Sequence, residues 1–262
     1  MMISKKVQGE ILKLKRATEL ISIICVFAVF FLLMFFQKSF NSESGYYTPE
    51  LLSIQYMSSF NLLLLSLVGF IPGSVLGAYI SGIDYKHNTN VYVIINMGRI
   101  QSIVIKIKTL LLGIMCLVIF MICLGVLEVF FVDNQQPFYI EWEMLFPQLF
   151  CCYIILLCSS MIGFLGATFT KRVYGGILFA IVFPILLERF SLYIPMLKYF
   201  TLNEYYASLI GHSFKNMAGD PQIQFSNLTS ISYGSSVFII TAITLSILII
   251  NIIIVVKRDF KA

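Results

Sequence analysis

Long apolar runs broken by short polar stretches define the hydrophobic pattern of this chain. Runs of the roughly 20 residues needed to cross a bilayer predict six spans, at 20–36, 60–80, 109–131, 147–168, 173–188 and 235–256. Ahead of the first, residues 1–20 keep a helical stripe of Ile3, Val7, Ile11, Leu14 and Ile21. Lys5, Lys6, Lys13, Lys15 and Arg16 lie mostly off that face, as in a helix resting in the membrane interface. Between the second and third spans, Val91, Ile94, Ile95 and Gly98 repeat at i, i+3, i+4, i+7, which predicts a short amphipathic helix over 84–98. Pro184 and Pro195 interrupt the chain after the fifth span. Residues 189–203 are expected to be irregular or re-entrant, within an outer loop of 189–234. The fold class expected is an all-α integral membrane protein in one domain, 1–262.

Composition supports this pattern. Of 262 residues, 59% are hydrophobic and 12% charged, against roughly 25% charged in soluble domains. The net charge of +5 does not indicate nucleic acid, because the basic residues gather at the ends of apolar runs. With both termini inside, the inner segments hold Lys5, Lys6, Lys13, Lys15, Arg16, Lys86, Arg99, Lys106, Lys108, Lys171, Arg172, Lys257, Arg258 and Lys261. Only Lys38, Arg189, Lys198 and Lys215 fall outside, whereas Glu43, Glu50, Asp133, Glu141, Glu143, Glu188, Glu204 and Asp220 are outside. The positive-inside rule favours this orientation.

Within the second span, Gly69, Gly73, Gly77 and Ser81 recur every fourth residue. Such a small-residue stripe lets another helix approach closely, within one subunit or across a dimer, and Pro72 is expected to kink the span. Ser159, Gly163 and Ala167 form a weaker stripe in the fourth span. Glu128 falls near the outer end of the third, where a solvated position is expected. The six cysteines all lie in apolar runs and read as small hydrophobes, so no metal is expected. Asn227-Leu228-Thr229 matches a glycosylation sequon, a three-residue pattern of low specificity.

Chemistry is sparse. There is no phosphate loop, no G-x-S-x-G and no H-E-x-x-H. His87 and His212 fall on opposite sides in the expected topology. The spans lack the inward acids and histidines of a proton-coupled carrier. A membrane protein of this type without its own ATPase site needs its energy from a partner.

Several residues resemble the ABC-2 type permeases, in particular the branch of lantibiotic and bacteriocin immunity exporters. Glu10-Ile11-Leu12-Lys13-Leu14-Lys15-Arg16 resembles that family's segment before the first span. Asp84-Tyr85-Lys86-His87-Asn88-Thr89, then Arg99 and Lys106, resembles its loop after the second span, with Asp84 where the family often has Glu. Lys257-Arg258-Asp259 is similar to family tails.

The resemblance implies a type V exporter-like permease subunit in a bacterial, Gram-positive plasma membrane. It would be paired with a second permease, identical or paralogous, and with an ABC ATPase dimer that holds ATP and Mg; this chain would bind no cofactor. It also implies that 1–19 is the connecting helix, 84–98 the coupling helix, and Asp84, Tyr85, Lys86, His87, Asn88 and Thr89 the ATPase-docking residues. Glu10, Lys13, Arg16, Arg99 and Lys106 would anchor at the membrane interface. The function implied is export of an antimicrobial peptide or another amphipathic compound. The alternative is a non-transporting membrane sensor or scaffold that relays peptide detection.

Overall fold

The computed structural model describes residues 53–86, 93, 95, 98–132, 140–194, 196–197, 201–215 and 231–257. The first expected span and the connecting helix with Glu10, Lys13 and Arg16 lie outside the described residues, as do His87, Asn88 and Thr89. The described residues are helical: α1 (Ile54–Val68), α2 (Phe70–Lys86), α3 (Arg99–Val132), α4 (Trp142–Thr170), α5 (Val173–Ser191), α6 (Leu202–Ser213) and α7 (Tyr233–Lys257). Four of these, α3, α4, α5 and α7, are long and apolar enough to cross a membrane, and the pair α1–α2 brings the number to five if counted as one span.

The expected span at 60–80 is two helices bent by 64°. Ser53 caps the first, its Oγ accepting from the Tyr56 N–H at 3.2 Å, a common way to satisfy an orphan helical donor. The break falls at Gly69, ahead of Pro72. The proline has no N–H for the carbonyl four residues back, Val68, and its ring crowds that carbonyl. In the third position of α2 the missing donor costs little. A Cβ on Gly69 would lie 2.1 Å from the Leu65 carbonyl oxygen, so only glycine fits this break.

The other helices outrun their apolar windows. The apolar run at 109–131 is the membrane part of a helix that begins at Arg99. α4 starts at Trp142, and the Glu141 carbonyl accepts from the N–H groups of Met144 and Leu145. It ends at Lys171, whose φ of 57° and ψ of 26° are left-handed, the conformation that commonly stops a helix. α5 then begins two residues later. It continues helically through Ser191, further than the proline pattern predicts. α6 occupies part of the expected outer loop, and its Tyr205, Leu209 and Ile210 are buried against the bundle.

α4 is the axis of the assembly. α2, α5 and α7 pack along it, and α1 pairs mainly with α3. Leu62, Leu110, Leu145, Ile155, Leu156, Leu209 and Ile240 meet in one core with no exposed surface. The outer faces of α3, α5 and α7 carry Met115, Ile119, Phe130, Leu178, Phe183, Phe238 and Ile249 in the open. So much continuous apolar surface is expected only against lipid or another protein.

Several hydroxyls inside the bundle are satisfied locally. Ser66, Thr109, Ser160, Thr168 and Thr244 each donate to the carbonyl four residues earlier, which allows hydroxyls within an apolar layer.

The small-residue stripe packs inside the chain. A Cβ on Gly73 would lie 2.3 Å from Ser159 Oγ, and one on Gly77 only 1.8 Å from the Ser160 carbonyl oxygen. From the other side, a Cβ on Gly163 would lie 2.1 Å from the Ser74 carbonyl. Stripe and counter-stripe interlock α2 with α4 at backbone contact, so the face considered for a dimer is occupied by α4 of the same chain.

Candidate functional site

Two ends of the bundle differ in charge. At one end the C-termini of α2, α4 and α7 meet the N-termini of α3 and α5. This is shown by Ser81 against Thr168, Gly82 against Val173, and the Arg99 guanidinium donating to the Val256 carbonyl. Lys86, Arg99, Lys106, Lys108, Lys171, Arg172 and Lys257 lie there, with Asp84. The opposite end holds Glu128, Glu141, Glu143, Glu188 and Glu204, with Arg189 and Lys215.

At the basic end the side chains converge below the surface. Asp84 is 1% exposed. Its Oδ2 lies 2.8 Å from Lys106 Nζ, and that ammonium also donates to the Ser81 carbonyl at 3.2 Å. Ser81 Oγ pairs with Thr168 Oγ1 at 2.8 Å. The cluster therefore ties α2, α3 and α4 together through one ion pair and one hydroxyl pair. A cavity of about 30 Å³ beside it, lined by Ser81, Asp84, Ser102, Lys106 and Thr168 among others, is large enough for a water molecule.

This placement corrects two sequence expectations. Asp84 is a residue of the last turn of α2, and its buried carboxylate is engaged within the chain rather than offered on a docking surface. Lys106 likewise turns inward, with its side chain 11% exposed, and its ammonium is engaged by Asp84 and the Ser81 carbonyl rather than offered outward as an anchor. Sequence reading missed the pair because the two residues are far apart in the chain and each looks like an ordinary boundary charge. Of the expected helix over 84–98, only residues 84–86, 93, 95 and 98 are among the described residues. Asp84, Tyr85 and Lys86 end α2, Val93 and Ile95 are helical, and Gly98 takes a φ of 78° that resets the chain for α3. Lys86 is exposed, and Arg99 is partly exposed and bonded to the end of α7.

The acidic end has its own buried carboxylate. Glu128 is 7% exposed, and its Oε2 accepts from Asn61 Nδ2 at 3.1 Å. It is not the solvated boundary residue expected. Gly125, one turn earlier, makes room for α1: a Cβ there would lie 2.7 Å from Ser58 Cα. At 1.5 Å per residue, Lys106 and Glu128 lie about 33 Å apart along α3, close to the roughly 30 Å of a hydrocarbon core. Each buried charge thus sits at one edge of the apolar layer. Asn61 was the available signal for this pair, as a lone amide inside an apolar run.

A larger cavity, of about 370 Å³, opens beside the α1–α2 break. Its walls come from α1, α2, α4, α5 and α6, including Phe70, Ile155, Ile181, Pro184 and Ala207, and Glu188 is the charged residue among them. Glu188 Oε2 accepts from Asn203 Nδ2 at 2.7 Å, joining α5 to α6. Tyr206 also lines the space; its hydroxyl lies beside the Cys158 thiol, a weak partner, and has no hydrogen bond of ordinary geometry. Burial holds its phenol well above the usual ionisation range. The five described cysteines, Cys116, Cys123, Cys151, Cys152 and Cys158, are free thiols.

No known protein family, curated protein or solved structure matches this chain.

Proposed function

We propose that the chain is the membrane-spanning permease subunit of an ATP-driven ABC exporter, acting on an antimicrobial peptide or other amphipathic compound. Its partners would be an ATPase dimer that supplies ATP and Mg and a second permease, with both termini on the cytoplasmic side. The single observation behind this reading is the Asp84–Lys106 pair, buried at the end of α2 from which the chain enters the polar stretch 87–98. A push on that stretch would reach α2 and α3 through an ion pair with little freedom to yield, and α4 through the Ser81–Thr168 contact.

Three further features support it. The basic end of the bundle fits the cytoplasmic face by the positive-inside rule. The sequence resembles ABC-2 permeases in the same stretch, and it lacks a phosphate loop of its own. In this mechanism the pair is a positioning device. His87, Asn88, Thr89 and the outward side of Lys86 meet the ATPase, and Asp84 and Lys106 carry the displacement into the bundle. The bend at Gly69 then gives α1 a different direction of travel from α2.

Replacing His87, Asn88 and Thr89 together with alanine should release the ATPase while the permease stays in the membrane. If the ATPase co-purifies equally well with this variant, the docking assignment is wrong. If no ATPase co-purifies with the unaltered chain, the permease reading fails and the sensor or scaffold reading replaces it.

A further inference from the structure

We propose that the cavity beside the α1–α2 break is a binding site for a membrane-partitioned amphiphile with one hydrocarbon tail and a cationic head. At about 370 Å³ it falls within the usual range for small-molecule pockets, roughly 300–1,000 Å³. Its interior offers little to a polar ligand. Ser66 and Ser159 line it but spend their hydroxyl protons on the carbonyls of Leu62 and Leu156. Phe70, Ile155, Ile162 and Ile181 add apolar surface. A hydrocarbon or aromatic group can fill this space without stranding either serine hydroxyl.

The rim has the opposite character. Glu188 is the charged residue among those lining the cavity, and it is exposed. Asn203 donates to one of its oxygens and holds the carboxylate at the mouth. Pro184, one turn deeper on the same wall, has no N–H to give the Ala180 carbonyl, and both residues line the cavity. Tyr206 adds a hydroxyl without an ordinary partner. These groups are acceptors, or in the case of Tyr206 able to accept; Glu188 sits at the end of the bundle rich in glutamate, and the Ala180 carbonyl and the Tyr206 hydroxyl lie deeper. An ammonium or guanidinium head is complementary to them, whereas a phosphate or sulfate would meet the like charge of Glu188, the charged residue of the lining. Counting along α5 at 1.5 Å per residue, Ala180 and Glu188 are about 12 Å apart. A bound amphiphile would therefore run from the middle of the apolar layer to its acidic edge.

This inference extends the exporter reading to the chemistry of the cargo and rests on that reading only for its biological meaning. Binding needs no ATPase, so the site and the ATPase partnership fail separately. The test uses the full chain in nanodiscs of zwitterionic lipid and three probes with the same twelve-carbon tail: dodecyltrimethylammonium, dodecyl maltoside and dodecyl sulfate. The cationic probe should bind saturably and at least about tenfold more tightly than the sulfate. Glu188→Gln should erase that preference and leave the maltoside unaffected. Ala207→Phe should fill the cavity and abolish binding of all three. Ile185→Trp, at a half-exposed position of the wall, should weaken all three without disturbing the core. Equal affinity for the three heads, or undiminished binding in both blocked variants, would overturn the proposal. So would the absence of saturable binding in this bilayer.

Discussion

Replacing Lys106 by methionine leaves the Asp84 carboxylate, 1% exposed, without the ammonium 2.8 Å away. Removing one partner of a buried ion pair costs about 3–5 kcal/mol, because the remaining charge is desolvated and uncompensated. The two single variants should not be equivalent. Aspartate has one methylene between backbone and carboxylate and cannot reach water from this position. Lysine has four, and Lys106 lies near the basic edge of the apolar layer, so in Asp84→Asn its ammonium can extend towards the interface. Asp84→Asn should therefore cost on the order of 1 kcal/mol, close to the loss of one hydrogen bond.

The double variant D84N/K106M carries no buried charge and should recover most of the loss, since a neutral replacement of a buried pair is often near-neutral. Reversible unfolding in mixed micelles, measured for the parent chain and the three variants, closes a double-mutant cycle. Three outcomes define the expectation: a large cost for K106M, a small one for D84N, and a strongly non-additive double. Equal single costs would refute the reach argument. An additive double would refute the pairing itself. If the exporter reading is right, the double variant should keep its stability and lose transport, because a neutral pair transmits force less directly.

Other substitutions follow from packing. Gly77→Ala places a methyl where the Ser160 carbonyl now sits and should cost at least about 1–3 kcal/mol as α2 and α4 separate. The same change at Gly234, which has nothing within 4 Å, should leave unfolding unchanged or raise stability slightly. Asn61→Leu removes the donor to buried Glu128 and should cost about 1–3 kcal/mol, and pairing it with Glu128→Leu should restore part of the loss in the same unfolding assay. In a background without native cysteines, a cysteine at Gly211 should react with an impermeant maleimide added outside intact cells, and one at Lys171 should not. The reverse pattern would invert the orientation.

Much of the fold was visible in the residues. The apolar runs locate α3, α4, α5 and α7 because a bilayer demands uninterrupted hydrophobic length. The spacing of Gly69, Gly73 and Gly77 marks a close helix contact, and Pro72 marks the break. The stripe cannot say which helix fills it; Ser159, Ser160 and Gly163 of α4 do so only once the chain is folded. Helix ends such as Arg99 fall outside the apolar runs for a related reason: hydropathy reports where lipid begins, while the backbone hydrogen-bond ladder continues into water. The Asp84–Lys106 and Asn61–Glu128 pairings were not legible, since each joins residues distant in sequence, although Asn61, a lone amide in an apolar run, signalled that a partner was needed. The 370 Å³ cavity was hidden for the same reason, being built from five helices.

The turn at Thr170–Arg172 matters for how the protein reaches its membrane. Only Lys171 and Arg172 separate α4 from α5, and Gly166 and Gly176 bring the two helices together at once. Of the four long spans α5 is the least apolar, and it contains Pro184. On its own it is a weak passenger for the insertion machinery. Joined to α4 by so short a link, it can partition into lipid as the second arm of a hairpin whose two basic residues stay behind. Lengthening that turn with a flexible linker should therefore harm biogenesis more than the finished structure, and would appear first as a fraction of molecules with α5 left out of the bilayer.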